Sequence, residues 1–102
     1  MKKQLLLTDE ITIIGKRWFQ KTYGNTYHSV RILVNGEEVA FNPFTYGYEN
    51  HYLQTAGTML QELYDLPNSI DTQYFHVYRL QDAGMKLNVQ VSDVERKKDL
   101  KV

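Results

Sequence analysis

With 102 residues, the chain has room for one small domain built around a single core. It has no cysteine, which excludes disulfide bonds and thiolate chemistry and predicts a cytoplasmic protein. Its formal net charge of zero argues against a generic binder of duplex nucleic acid. The apolar run Leu5–Leu7 is too short for a signal peptide or a membrane span.

The first predicted hairpin follows an N-terminal arm, residues 1–10. The β-branched stretch Ile11–Ile14 predicts a strand, and Gly15 within that strand indicates a bulge or a close approach of another backbone or side chain. We place the hairpin turn at Gly24-Asn25, because both residues tolerate the positive φ that a tight connection requires.

The second arm of this hairpin, Thr26–Val34, alternates clearly. One face carries His28, Val30, Ile32 and Val34, and the other carries Tyr27, Ser29, Arg31 and Leu33. We expect the first set to face the core, because a slip by one residue would bury Arg31. Asn35-Gly36 then predicts a type I′ turn into a third strand, Glu37–Asn42, which we expect Pro43 to end.

A helix is predicted from about His51 to Tyr64, with Asn50 as its N-cap. Its apolar stripe recurs at three-and-four spacing and contains Leu53, Ala56, Met59 or Leu60, and Leu63. The preceding loop, Phe44–Glu49, is rich in aromatic residues. It forms either a lid on the sheet edge or part of a binding surface.

The C-terminal part predicts two more strands, Gln73–Leu80 and Met85–Val91, joined by a turn at Ala83-Gly84. Ser92–Glu95 has the spacing of a capping box, which predicts a short helix in the charged tail, residues 92–102. The sequence therefore predicts one α+β domain over residues 1–102. Its mainly antiparallel five-stranded sheet has the element order βββαββ, with one helix packed on one face.

The second face of this sheet is predicted to be aromatic. It would carry Trp18, Tyr27 and Arg31, together with Tyr74, His76 and Tyr78 of the fourth strand. So aromatic a face is unusual in contact with solvent, so we expect the chain's own arms or another subunit to cover it. A homo-oligomer is the corresponding expectation.

Motifs for catalysis are absent from the sequence. There is no phosphate-binding glycine loop and no nucleophile elbow, and the three histidines lack the close spacing of zinc ligands. We therefore predict no enzyme activity, no catalytic residue, no metal and no cofactor. A small hydrolase or nuclease that uses His28 or His76 is the least favoured class.

Aromatic and basic residues cluster around the first hairpin beyond what a turn requires. The predicted binding residues are Arg17, Trp18, Tyr23, Asn25, Tyr27, His28, Arg31, Tyr46 and Tyr48. Tryptophan, tyrosine and arginine are the favoured anchors of protein interfaces. Rings interleaved with cations also suit single-stranded nucleic acid or a nucleotide. A protein partner is the leading hypothesis, and the nucleic-acid or nucleotide binder is its alternative.

Two segments resemble small uncharacterised proteins of tailed bacteriophages and prophages. They are the stretch Arg17–Val30 and the series Pro43, Tyr46-Gly47-Tyr48, Tyr52 and Gln54-Thr55-Ala56. The resemblance covers about residues 11–60. It implies a bacterial host cytoplasm and a role in binding a host or phage component, for example as an inhibitor of a host factor or defence system. It implies no site residue.

Overall fold

A computed structural model describes residues 2–102. Within this range the strands are Lys3–Gln4 (β1), Glu10–Gln20 (β2), Asn25–Val34 (β3), Glu37–Tyr46 (β4), Tyr64–Asp65 (β5) and Lys86–Val94 (β6). The helices are His51–Leu63 (α1), Tyr78–Asp82 (α2) and a 3₁₀ helix at Lys97–Lys101. The predicted α+β class is confirmed.

The main sheet has the strand order β4-β3-β2-β6 and is mostly antiparallel. β2 pairs antiparallel with β3 and parallel with β6, so Ile13 lies between Ile32 and Val89. A small second sheet pairs β1 with β5 in the parallel sense. It holds the predicted N-terminal arm, whose first residue lies outside the described range.

Both predicted hairpins are present. Asn35 and Gly36 have φ values of 53° and 83°, as a type I′ turn requires. The first hairpin has a four-residue turn, Lys21–Gly24, in place of the tight turn expected at Gly24-Asn25. Gly24 has a φ of 68° and donates its N–H to the Gln20 carbonyl, whereas Asn25 already pairs with Gln20 in the sheet.

Pro43 does not end β4, which continues to Tyr46. The prediction was wrong because β4 is an edge strand, where a missing N–H leaves no partner unsatisfied. The register also shifts here, between the pairs of His28 and Val30. Asn42 supports this irregular segment, since its Oδ1 accepts hydrogen bonds from the Phe44 N–H at 3.1 Å and the Thr45 hydroxyl at 2.9 Å.

The hydrophobic core lies between α1 and one face of the main sheet. The predicted core face of β3 is confirmed, because Val30 and Ile32 are fully buried and Val34 packs against the core. Of the predicted helix stripe, Leu53, Ala56 and Leu60 are buried, whereas Leu63 is exposed. Tyr52, which the stripe did not include, is buried as well.

Gly15 is the point of closest approach between sheet and helix. A Cβ atom built at Gly15 would lie 2.6 Å from Cδ2 of Tyr52, closer than two carbon atoms can approach. The Tyr52 ring therefore packs directly on the backbone of β2. The sequence predicted a bulge or a close approach at Gly15. The structure shows the close approach, and the approaching group is the side chain of Tyr52.

The predicted fourth strand, Gln73–Leu80, is wrong. This segment is a loop that leads into α2. Its buried side chains, Val77 and Leu80, are three residues apart, which matches one turn of helix and not an alternating strand. Tyr74 and His76 consequently lie beside α1, in a groove with Leu53, and not on the far face of the sheet.

The C-terminal segment follows the prediction only in part. β6 extends through Ser92 to Val94, so the residues expected to form a capping box belong to a strand. The short terminal helix is the 3₁₀ helix, which begins at Lys97 without a side-chain cap. Its Leu100 is buried, although it is not part of the main core.

Between residues 2 and 102, no helix combines the length and the apolar character needed to cross a bilayer.

The contact between Gly15 and Tyr52 predicts opposite effects for two glycine-to-alanine substitutions. Gly15→Ala should lower the free energy of unfolding by about 1–3 kcal/mol, because its methyl group overlaps the Tyr52 ring. Gly57→Ala should raise it by up to about 1 kcal/mol, because its methyl group would lie 3.6 Å from Phe75, an ordinary contact, inside a helix. Denaturant unfolding of both variants measures the difference. Equal effects would contradict this account of Gly15.

Candidate functional site

An aromatic row crosses the sheet face that lies opposite α1. Its rings, which we call the aromatic surface, are Trp18, Tyr27, Phe44 and Tyr46. β2, β3 and β4 position them, because Trp18 pairs with Tyr27 in the sheet register and Tyr27 pairs with Tyr46. The aromatic face that the sequence predicted is therefore present, without the contribution expected from residues 73–80.

Tyr27 lies at the centre of this row. Its ring stacks on Trp18 at a centroid distance of 5.9 Å and an interplanar angle of 28°. It stacks on Phe44 at 4.5 Å and 16°. Because β2 and β4 lie on opposite sides of β3, Trp18 and Phe44 stack on Tyr27 from opposite sides of its strand. Tyr46 meets the same ring edge-on at 5.7 Å. The four rings therefore pack against one another.

Residues of the C-terminal segment lie beside both ends of the stacked row. Trp18 pairs with Val94 of β6 on the side away from Tyr27. The Lys97 ammonium lies 4.8 Å from the centroid of the Phe44 ring, a cation–π contact. Trp18 and Tyr27 are half-buried, whereas the other two rings of the row are exposed. Phe44 is 41% exposed and Tyr46 is 55% exposed.

The C-terminal 3₁₀ helix covers the neighbouring part of the same face. Ser29 donates its hydroxyl to the Leu100 carbonyl at 2.6 Å, and Arg31 donates to the Lys101 carbonyl at 2.7 Å. Leu100 is buried at this contact. The sequence predicted that either the chain's own arms or another subunit would cover the aromatic face. The C-terminal arm covers the part around Ser29 and Arg31. Phe44 and Tyr46 of the aromatic surface remain exposed beside it.

Basic side chains border the aromatic surface. Lys97 is exposed above Phe44, and the Lys16 ammonium binds the Val102 carbonyl. Arg31 is different, because it forms an ion pair with Glu38 at 2.7 Å and lies 4.0 Å from the centre of the Phe41 ring. The border is therefore cationic mainly through its lysines.

The predicted binding residues divide into three groups. Trp18, Tyr27, Arg31 and Tyr46 lie on the face opposite α1. Tyr23 and Asn25 lie at the tip of the first hairpin, where Tyr23 is 75% exposed. Arg17, His28 and Tyr48 lie on the other side of the sheet, where they cannot act together with the aromatic surface. Adjacent strand residues such as Arg17 and Trp18 point to opposite faces.

Arg17 and Tyr48 line an open groove at the N-terminal end of α1, with a volume of about 530 Å³. Arg17 is held there by an ion pair with Asp93 at 2.8 Å and by a hydrogen bond to the Glu49 carbonyl at 3.1 Å. Its guanidinium is thus occupied by the chain itself, and its contacts join β2, β6 and the loop before α1.

His28 is fully buried, and it is part of neither the aromatic surface nor the groove that Arg17 and Tyr48 line. Its Nδ1 is 3.1 Å from the Gly47 carbonyl, and its Nε2 is 2.7 Å from the Thr55 hydroxyl. Because a carbonyl only accepts, Nδ1 carries the proton and donates it, and the Thr55 hydroxyl donates to Nε2. The neutral imidazole therefore joins β3, the loop after β4 and α1.

The surroundings of His28 favour its neutral form. Burial lowers the pKa of His28 below its usual value of 6.5; the hydrogen bond to the Gly47 carbonyl opposes this shift, and the nearby His51 adds to it. The His51 ring lies 5.7 Å away and packs on Gly47, where a Cβ atom would lie only 2.5 Å from its ring. A nucleophile-and-base role for His28 and Thr55 would need contact with a substrate, whereas His28 is fully buried.

Four residues of the site were not named among the predicted binding residues: Lys16, Phe44, Lys97 and Leu100. Phe44 belongs, however, to the Phe44–Tyr48 loop, which was predicted to form the binding surface together with the first hairpin. Phe44 was assigned to a loop, because Pro43 was expected to end the strand. Leu100 could have been found, since it is the one large apolar residue in an otherwise charged stretch, Glu95–Lys101. Lys97 reaches Phe44 only through the fold of the tail, and no sequence pattern indicates this contact.

Among residues 2–102, no group of three or more histidine, aspartate or glutamate side chains is arranged to hold a metal ion.

His28 makes stability dependent on pH. Its native pKa is lowered, so below pH 6.5 the unfolded chain gains a proton that the folded chain does not yet bind. The free energy of unfolding should therefore fall as the pH drops below about 6.5 toward the lowered pKa of the native state. Denaturant unfolding at a series of pH values measures it.

Two variants assign this loss. His28→Gln should be less stable than the wild type at neutral pH and should show a flatter pH dependence. His76→Gln replaces an exposed imidazole and should keep the contribution of His28. A pH dependence that is the same in His28→Gln and the wild type would contradict the assignment.

In comparisons with known proteins, the chain matches no family model, no curated protein and no solved structure.

Proposed function

We propose that this chain is a non-enzymatic binding protein whose aromatic surface docks on a protein partner. The observation that carries the proposal is the row of four rings on the sheet face opposite the core, with Phe44 and Tyr46 substantially exposed. The core has no need of these rings, because α1 already covers the other face of the sheet. Exposed aromatic groups of this size are typical of interaction sites.

The stacking within the row favours a protein over a nucleic acid. A platform for single strands offers free ring faces on which bases stack. Here Tyr27 already stacks on Trp18 and Phe44, and the Lys97 ammonium lies over the Phe44 ring. The exposed Phe44 and Tyr46 rings, which pack on Tyr27, suit the aliphatic and polar side chains of a protein surface. Tryptophan and tyrosine are also the residues that contribute most to such interfaces.

The charge at the border indicates the partner's chemistry. Lys97 is exposed above Phe44 and places a positive charge beside the rings, whereas the Lys16 ammonium at the same border is bound to the Val102 oxygen. A partner that places apolar side chains over the aromatic surface and carboxylates at its rim would match both features. The resemblance to small phage proteins is consistent with a bacterial host protein as this partner, and with inhibition of that protein.

The same cations support the second candidate function, the binding of single-stranded nucleic acid or a nucleotide. Lysines beside exposed rings are the minimum that such a ligand requires. The two candidates differ in their response to salt, because phosphate contacts release counterions and weaken steeply as salt rises. Retention of a single-stranded oligonucleotide that decreases steeply with salt would favour this second candidate.

Photo-crosslinking can identify the partner. A photoreactive phenylalanine analogue replaces Tyr46 on the aromatic surface in one variant and Tyr74 in the matched control. Tyr74 is 71% exposed and lies on the other side of the sheet, beside α1. The proposal expects a protein adduct from bacterial cells at position 46 that is absent at position 74. Equal adducts at both positions would argue against the aromatic surface.

Binding of the purified partner tests the anchors directly. Trp18→Ala and Tyr46→Ala should each weaken affinity about 30-fold, which corresponds to the roughly 2 kcal/mol of a strong interface residue. Tyr74→Ala should leave the affinity unchanged. Circular dichroism and denaturant unfolding establish that each variant is folded. If the folded Tyr46→Ala variant binds as tightly as the wild type, the partner does not dock on this surface.

A further inference from the structure

β6 presents a free strand edge. It forms one border of the main sheet, beside β2, and in the described chain no backbone hydrogen bond reaches its outer side. The strand runs for 9 residues, Lys86–Val94, without proline or glycine. A row of unpaired N–H and C=O groups of this length is a template for another strand.

The opposite border of the sheet is protected. β4 contains Pro43, which has no N–H to donate, and its register shifts beside this residue. Its first residues, Glu37 and Glu38, are both acidic. Proline, irregular pairing and charge are the means by which edge strands avoid pairing with other chains. β4 is therefore a poor edge for pairing with another strand, whereas the edge of β6 is free for such pairing.

The apolar side chains of β6 lie at the margin of the core. Leu87 and Val89 are half-buried against it, and Val91, further along the same side of the strand, is 41% exposed. On the other side of the strand, Asn88 and Gln90 are exposed and polar. An added strand would cover the apolar row and satisfy the backbone groups of the edge.

We infer that β6 pairs antiparallel with β6 of a second copy of this chain, so that the two sheets form one continuous sheet about a two-fold axis. With the axis at Val89, Leu87 faces Val91 of the second copy and Asn88 faces its Gln90. Lys86 then faces Ser92 of the second copy. Apolar residues meet apolar residues, polar residues meet polar residues, and no like charges oppose each other.

Other registers fit less well. Moving the axis to Gln90 places Leu87 opposite Asp93 of the second copy, and moving it to Val91 places Val89 opposite the same carboxylate. Either arrangement sets a charge against an apolar side chain. Moving the axis to Asn88 shortens the paired segment to Lys86–Gln90. The strand is therefore complementary to itself in one register, which favours a second copy over an unrelated strand.

This dimer leaves the aromatic surface free. Because a strand added in the sheet plane keeps each face on its own side, both α1 helices lie on one side of the continuous sheet and both aromatic surfaces on the other. The dimer would thus present two binding surfaces in the same direction. It does not depend on the proposed function, since β6 pairing and ring contacts involve different atoms.

The oligomeric state of the wild type provides the first test. Native mass spectrometry of the full chain should give twice the monomer mass of 12.0 kDa. Val91→Lys should weaken the dimer about tenfold or more, because the new charge lies opposite Leu87 twice per dimer. Val39→Lys, a similarly exposed position on β4, should leave it intact. A wild type that stays monomeric, or equal effects of the two lysines, would overturn the inference.

Disulfide formation tests the register. The chain has no cysteine, so a single introduced cysteine reports only its own neighbours. In Val89→Cys the two cysteines would face each other with Cα atoms about 4.5–5.5 Å apart, within disulfide range. Oxidation should convert this variant to a covalent dimer at least about tenfold faster than Val39→Cys, which can react only by collision. Equal rates would refute pairing at Val89.

Discussion

The close packing of Tyr52 on the backbone of Gly15 positions α1 on the sheet, and the rest of the structure depends on this contact. Nearby, Thr55 of α1 bonds the buried His28, and the His51 ring packs on Gly47. A side chain at either glycine would push the helix away from the sheet. These contacts hold the first turns of the helix against the middle of β2 and β3, so the core forms on that face alone.

The two faces of the sheet consequently have different roles. On the helix side, β-branched residues of β2 and β3 pack with leucine and alanine of α1 into the core. On the far side, the strand residues in between carry Trp18, Tyr27 and Arg31, and the C-terminal 3₁₀ helix covers only part of them. Side chains alternate along a strand, so every residue that points into the core is followed by one that points away from it. The strands that build the core therefore also build the aromatic face.

The two borders of the sheet differ as well. Pro43 and its register shift make β4 a poor template, while β6 has a regular outer edge and half-exposed valines. The rings of the aromatic surface lie on β2, β3 and β4 and not on β6. The partner binding proposed for the face and the self-association proposed for the β6 edge therefore use different residues.

The sequence by itself determined the α+β class, the Asn35-Gly36 turn, the core face of β3 and the extent of α1, and it placed the first hairpin but not the bounds of its turn. Each of these follows from local preferences: positive φ at Gly24, Asn35 and Gly36, period-two alternation, or three-and-four spacing. Only the tertiary structure decided that residues 73–80 form no strand, since a short run rich in aromatic residues suits a strand or a packed loop equally well. It also decided that β6 pairs parallel with β2 and that β4 continues through Pro43, because both depend on which strands are neighbours.

The candidate site divided for the same reason: neighbours in sequence, such as Arg17 and Trp18, face opposite sides of the sheet, whereas Phe44 and Lys97 meet only once the chain is folded.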